Sequence, residues 1–182
     1  MRGQILHKLD YTAELLQYFT SAAVTFEADD DSLSATSIGT GGAFEVGDHI
    51  VVSGSSETTN NTTHTVTVSA ANKITCGAST ITDDTPGETI VINQEYQGTW
   101  FNVEEWAKLT GVINSSGNCT VYVDQSGNGG TNTDYSSSWA VTGGTALAFS
   151  VETICKHARL RIRNNGADQT VMRAYLYGRT IT

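Results

Sequence analysis

The residues whose spacing comes nearest to a metal site lie in segment 124–128, which reads DQSGN. Oxygen-bearing side chains alternate along it around a glycine, as in the first half of a calcium-binding loop. Such a loop has a glutamate at its twelfth position, where this chain has Tyr135. Asp124, Ser126 and Asn128 are therefore weak calcium candidates, and a tight glycine-rich hairpin explains the same residues more simply. No cofactor is predicted.

The other residue types that carry chemistry are scattered along the chain. The four histidines have none of the spacings of common metal motifs, and they are His7, His49, His64 and His157. His49 and His64 could meet across neighbouring strands as a metal-binding or pH-sensitive pair, although a structural role is the simpler explanation. Catalysis needs a nucleophile, an acid or base, or a metal held in one place. No such group is visible, so the sequence does not predict an enzyme.

Three cysteines, Cys76, Cys119 and Cys155, lack the CxxC spacing of redox or zinc sites. We expect them to be small buried side chains. A disulfide between Cys119 and Cys155 is the alternative, which a reducing compartment would disfavour.

The most informative surface is predicted near the end of the chain, where arginines and tyrosines recur at spacing two. Two strands carry them, joined by a predicted hairpin loop over 164–169, and the residues are Arg159, Arg161, Arg163, Arg173, Tyr175, Tyr177 and Arg179. Arginine and tyrosine are enriched at interface hot spots. Two interpretations stay open: an intrachain surface of ion pairs and cation–π contacts, or a docking face for an acidic patch on a neighbour.

Charge is distributed unevenly. Residues 1–93 contain 12 acidic and 3 basic residues, whereas residues 94–182 contain 7 of each. An acidic chain without a basic stripe is a poor candidate for binding nucleic acid. No apolar run approaches the length of a membrane span, and the first residues lack the apolar core of a signal peptide. We therefore expect assembly in a cytoplasm, without membrane or nucleic-acid partners.

The elements that must position these residues are β-strands. Short β-branched runs are separated by glycine-rich turns, and the chain has 18 Gly and 1 Pro, which is typical of an all-β protein. We predict an N-terminal arm over 1–21 with a short helix near 13–19, a small β-barrel-like domain over 22–93 and a jelly-roll-like β-sandwich over 94–182. The aromatic residues Trp100, Phe101 and Trp106 should pack at the junction.

Several segments resemble β-domains of tailed-phage virion proteins. In the first half the similarity rests on residues 44–55, with the sequence FEVGDHIVVSGS, followed by Asn60-Asn61 and a Thr/Val strand. In the second half it rests on 120–126 (TVYVDQS), 132–134 (NTD), 149–151 (FSV), 158–162 (ARLRI), 164–166 (NNG) and 169–170 (QT). This chain departs from the pattern of those domains at His49 and at residues 62–64.

This resemblance implies a structural role in a virion, first of all as a head decoration or auxiliary capsid protein that cements the shell. The implied partners are the major capsid protein or other virion proteins, together with further copies of the same chain. The alternative is a tail, neck or fibre component, which could include a module that binds a host glycan.

Overall fold

The computed structural model describes residues 4–11, 15–39, 44–77 and 81–180, the first of these ranges by its backbone alone. The predicted all-β class is confirmed, since fifteen strands and two three-residue 3-10 helices make up the described regular structure. In this part of the chain no helix is long and apolar enough to span a membrane. The chain divides into two compact units. We call residues 16–96 the acidic unit, and residues 1–15 with 97–182 the sandwich unit.

The acidic unit is one antiparallel arrangement of short strands. Its strands are β2 (Tyr18–Ser21), β3 (Thr25–Glu27), β4 (Ser32–Ser34), β5 (His49–Ser53), β6 (Thr63–Ala70), β7 (Lys73–Gly77) and β8 (Ile90–Gln97), which ends just past the unit. Neighbours follow the order β2, β8, β5, β6, β7, β4, β3. The core is aliphatic and aromatic, with Phe26, Leu33, Phe44 and Ile74 almost fully buried.

Alternation positions the side chains of these strands, because successive residues point to opposite faces. In β5, Ile50 and Val52 are buried while Ser53 is exposed. The loop after β5 is fixed by Asn60, whose side chain exchanges two hydrogen bonds of 2.9 Å with the backbone of Thr82. Asn60 is itself fully buried.

The sandwich unit consists of two antiparallel sheets. Its strands are β1 (Gln4–Tyr11), β9 (Phe101–Asn102), β10 (Lys108–Ser115), β11 (Cys119–Ser126), β12 (Tyr135–Val141), β13 (Leu147–Glu152), β14 (His157–Asn164) and β15 (Met172–Arg179). Sheet A has the order β1, β15, β10, β13. Sheet B has the order β12, β11, β14, with the short β9 on β14.

The core of the sandwich unit is built from the inward residues of both sheets. Leu109, Ile113 and Leu176 of sheet A are at most 1% exposed, and Val121 and Leu160 of sheet B are fully buried. At one side the two sheets meet through the ring of Trp139 on β12, whose centroid lies 5.0 Å from that of Phe149 on β13. The predicted β-sandwich is present.

The N-terminal residues differ from the prediction. Residues 4–11 form strand β1, which pairs antiparallel with β15. Residues 15–17 have no regular structure and residues 18–21 form β2, so the predicted helix is wrong over this part, whereas 12–14 lie outside the described residues. Tyr18 and Phe19 instead lie in a strand that pairs antiparallel with residues 90–93 of β8. The first fifteen residues group with the sandwich unit, and the units divide after residue 96 rather than after 93.

Candidate interaction surfaces

The arginines of β14 stand on the outer side of sheet B. Arg159, Arg161 and Arg163 are half-buried and alternate with Leu160 and Ile162, which are fully buried. This alternation is what the sequence predicts. The three guanidinium groups are thus held in a row by the strand, on the face turned away from the core.

The row is centred on the carboxylate of Asp124 on β11, which is fully buried. Arg159 Nε and Arg161 Nε donate to Asp124 Oδ2 at 3.1 and 2.8 Å, and Arg161 Nη2 donates to Oδ1 at 3.1 Å. Ser136 Oγ on β12 donates to the same Oδ1 at 2.7 Å. One carboxylate therefore joins strands β11, β12 and β14 of sheet B.

The electrostatics of this carboxylate combine two opposing effects. Burial by itself would raise the pKa of Asp124, because it penalises the charged form. Hydrogen bonds from Arg161 and Ser136, and the positive charges of Arg161 and Arg159, outweigh this effect. The pKa of Asp124 therefore lies below its usual value, and the side chain is a stable anion at neutral pH.

Aromatic rings complete the arrangement. The guanidinium carbon of Arg161 lies 3.9 Å from the ring centroid of Tyr122, and that of Arg159 lies 4.7 Å from the ring of Trp100. Arg163 lies 5.7 Å from the same tyrosine ring. For Arg159 and Arg161 the structure thus has the intrachain surface of ion pairs and cation–π contacts.

The predicted hairpin between β14 and β15 is wrong, because the two strands belong to opposite sheets. β14 pairs with β11, and β15 pairs with β1 and β10. The loop that connects β14 to β15 crosses from sheet B to sheet A. Its buried Gln169 accepts a hydrogen bond through Oε1 from the backbone N–H of Gly117, in the turn between β10 and β11, at 2.9 Å. The seven arginines and tyrosines therefore fall into two separate groups rather than one face.

The second group lies on the outer face of sheet A. Arg173 and Arg179 are exposed, Tyr175 and Tyr177 are half-buried, and the two tyrosine rings stack with centroids 6.4 Å apart. We call these four residues the β15 face. An open groove of about 560 Å³ begins beside it, and residues from both sheets line it, including Thr110, Trp139, Ala148, Tyr177 and Arg179.

The weak calcium candidates do not converge on a common point. The carboxylate of Asp124 is engaged by two arginines, whereas Ser126 Oγ donates to Asn128 Oδ1 at 2.7 Å. Ser126 and Asn128 instead stabilise the glycine-rich turn, since Ser126 Oγ also accepts a hydrogen bond from Gly130 N at 3.1 Å. In the described residues no group of three or more His, Cys, Asp or Glu side chains is arranged to hold a metal ion.

The histidines of β5 and β6 do not meet. Ile50 stands opposite His64 and His49 stands opposite Thr65, so the two rings lie on opposite faces of the strand pair. His64 is 1% exposed, with Nε2 3.0 Å from the carbonyl oxygen of Asn60. Nδ1 of His49 lies 3.1 Å from Thr65 Oγ1. The two rings therefore do not form the metal-binding or pH-sensitive pair.

The three cysteines are free thiols, so the alternative of a Cys119–Cys155 disulfide is not realised. Burial raises the pKa of Cys76 to about 12, with a further contribution from the charge of Asp31. Burial likewise raises the pKa of Cys119. Thiolates are the reactive form, so these two cysteines are small core residues with little nucleophilic character.

Sequence reasoning identified the residues of both groups but not their partners. It singled out Asp124 only as a calcium candidate, because the register that sets Asp124 opposite Arg159 appears only once β11 and β14 pair. The alternation of Arg159 to Arg163 was the signal available, since a row of like charges on a strand requires an anion nearby. Comparison with known proteins finds no match for the chain, either among protein-family models or among curated proteins.

Proposed function

We propose that this protein is a non-enzymatic structural component of a tailed-phage particle, a head decoration protein that cements the shell through protein–protein contacts. The observation that carries the proposal is the β15 face with its groove. It presents exposed arginines beside stacked tyrosines in a chain whose net charge is −9. The resemblance of residues 44–55 and 120–126 to virion β-domains supports the same role.

The chemistry of the β15 face suits an acidic protein surface. Arginine binds carboxylates through a planar fork of donors, and tyrosine adds a large contact area with few rotatable bonds. We infer that Arg179 and Tyr177 contact carboxylates and apolar groups of a capsid protein. Repeated on a symmetric shell, many modest contacts of this kind give high avidity without any single strong site.

The arginines of β14 have a smaller part in this proposal. Arg159 and Arg161 already neutralise Asp124, and removing them would leave a buried charge without its partners. Substitutions there would report on folding as much as on docking. The substitution that tests docking is therefore made on β15.

The experiment measures binding of the purified chain to phage particles that lack it, by sedimentation and quantitative mass spectrometry. The wild type should saturate the particles at a fixed copy number. Arg179→Glu should bind at least about tenfold more weakly, the loss expected when one charged interface contact becomes repulsive. Lys156→Glu is the matched control, because its side chain is 64% exposed and lies outside the β15 face. A wild-type chain that binds no particle would contradict the proposal.

A second function, recognition of a host glycan by a tail or fibre component, is favoured by one feature. The groove beside the β15 face is lined by Trp139 and Tyr177, and sugar rings stack on aromatic side chains of this kind. A glycan array probed with the wild type and with Tyr177→Ala separates the two functions. Glycan binding that Tyr177→Ala removes, without binding to particles, would favour the fibre component.

A further inference from the structure

The two end strands of the sandwich unit lie side by side. β12 ends sheet B and β13 ends sheet A, and within the described chain each is hydrogen-bonded to a strand on one side only. The contact of Trp139 with Phe149 brings these ends together. An end strand presents a row of backbone N–H and C=O groups that can pair with another chain.

The sequence and register of β12 lack the charges, proline and bulge that often prevent such pairing. Natural edge strands are protected by charged side chains, proline or β-bulges. Residues 135–151 contain no Asp, Glu, Lys, Arg or Pro. The register of β12 against β11 runs from Tyr135 to Val141 without a shift. Its free edge therefore keeps the regular geometry that a further strand requires.

We propose that two copies of this chain pair through their β12 strands, antiparallel about a two-fold axis, so that sheet B continues from one copy into the next. Centred on Ser138, this register sets Tyr135 against Val141 of the second copy, and Ser137 against Trp139. Aromatic and β-branched residues are favourable cross-strand partners. On the outer face it sets the exposed Ser138 and Ala140 against small side chains, which leaves room for close approach.

Charge favours a second copy at this edge. The acidic unit contains 11 acidic residues and 1 basic residue, whereas the sandwich unit contains 8 and 9. Two copies that met through their acidic units would repel each other strongly. β12 belongs to the nearly neutral unit, and pairing it with itself brings no like charges together. β13 is less suited, because it ends in the exposed Glu152.

Sedimentation velocity of the full chain over a range of concentrations tests the proposal. The wild type should form a dimer. Ala140→Lys places a charge on the exposed side of β12 and should raise the dimer dissociation constant at least about tenfold. Ala167→Lys is the matched control, because Ala167 is also exposed but lies in the loop after β14. It should dimerise as the wild type does. Far-UV circular dichroism and thermal midpoints check that all variants are folded.

Three outcomes would overturn the proposal. These are a wild type that is monomeric at every concentration, equal dimerisation of the two lysine variants, and loss of the dimer in Ala148→Lys on β13 but not in Ala140→Lys. The measurement needs no phage particle, and Ala140→Lys changes neither the β15 face nor a residue that lines its groove. Its result is therefore independent of the binding experiment that tests the proposed function.

Discussion

At the scale of single residues, the buried carboxylate of Asp124 is expected to contribute strongly to stability. It accepts hydrogen bonds from Arg159, Arg161 and Ser136. Removing the charge of one partner in a buried ion pair leaves the other charges without compensation, and this is costlier than losing an exposed pair. Asp124 and its partners are therefore part of the folding energetics of sheet B.

We expect Asp124→Asn to lower the free energy of unfolding by about 3 kcal/mol. The amide nitrogen donates where the carboxylate oxygen accepts, so at least one arginine N–H group loses its acceptor. Urea denaturation followed by tryptophan fluorescence measures the change. Glu105→Gln is the control, because this side chain is exposed and its neutralisation should change stability by less than about 0.5 kcal/mol. Equal losses in the two variants would contradict the role of Asp124.

The same group gives a pH signature. The pKa of Asp124 is lower in the folded protein than in the unfolded chain. Its stabilising contribution is therefore complete above the unfolded value of about 3.9 and is lost as pH falls toward the lower folded value. The stability difference between wild type and Asp124→Asn should shrink below about pH 4. Asp30 and Glu104 also have lowered pKa values. Both residues are present in the wild type and in Asp124→Asn, so their contributions to the pH dependence cancel in this difference.

At the scale of elements, local alternation predicts the all-β class but not how the strands are grouped into sheets. The strand β5 over 49–53 and the alternation of β14 follow directly from which residues are apolar. The same alternation is expected whether β14 and β15 form a hairpin or cross between sheets. The loop at the crossing is held by Gln169, which accepts a hydrogen bond from the sequence-distant Gly117 N and donates one to the nearby Asn164 Oδ1. Strands β1 and β2 were missed because the prediction placed them in an arm, and their pairing depends on β15 and β8, which are distant in sequence. Strands β4 and β9 were missed because they have only three and two residues and owe their pairing to longer neighbours.

Gly111 tests the packing of sheet A. A Cβ atom at this position would lie 2.6 Å from the carbonyl oxygen of Tyr175 and would also overlap the ring of Phe149. We expect Gly111→Ala to lower the free energy of unfolding by about 1–3 kcal/mol, the range for overpacking a core. Gly166→Ala is the matched control, because nothing lies within 4 Å of a Cβ there. The expectation fails if chemical denaturation gives both variants the stability of the wild type.

At the scale of the whole molecule, the dominant feature is the difference in charge between the two units. The one basic residue of the acidic unit, Lys73, lies 2.8 Å from both Glu27 and Asp30. The sequence alone predicted an acidic first half. It could not assign the arginines of the second half to separate sheets, because that assignment depends on which strands pair. Repulsion among the acidic side chains of this unit should therefore lower its stability, and added salt should weaken that repulsion.

We expect the thermal midpoint to rise as NaCl is increased from about 0.01 to 0.15 M, since the screening length falls from about 30 to 8 Å. Lys73→Met should lower the midpoint, and this deficit should be largest at low salt, because the variant leaves Glu27 and Asp30 facing each other without a cation. Lys108→Met is the matched control, since it removes the same charge from the nearly neutral sandwich unit. Circular dichroism melts at each salt concentration make the comparison. A midpoint that falls with salt, or identical salt dependence of the two variants, would show that repulsion within the acidic unit does not limit its stability.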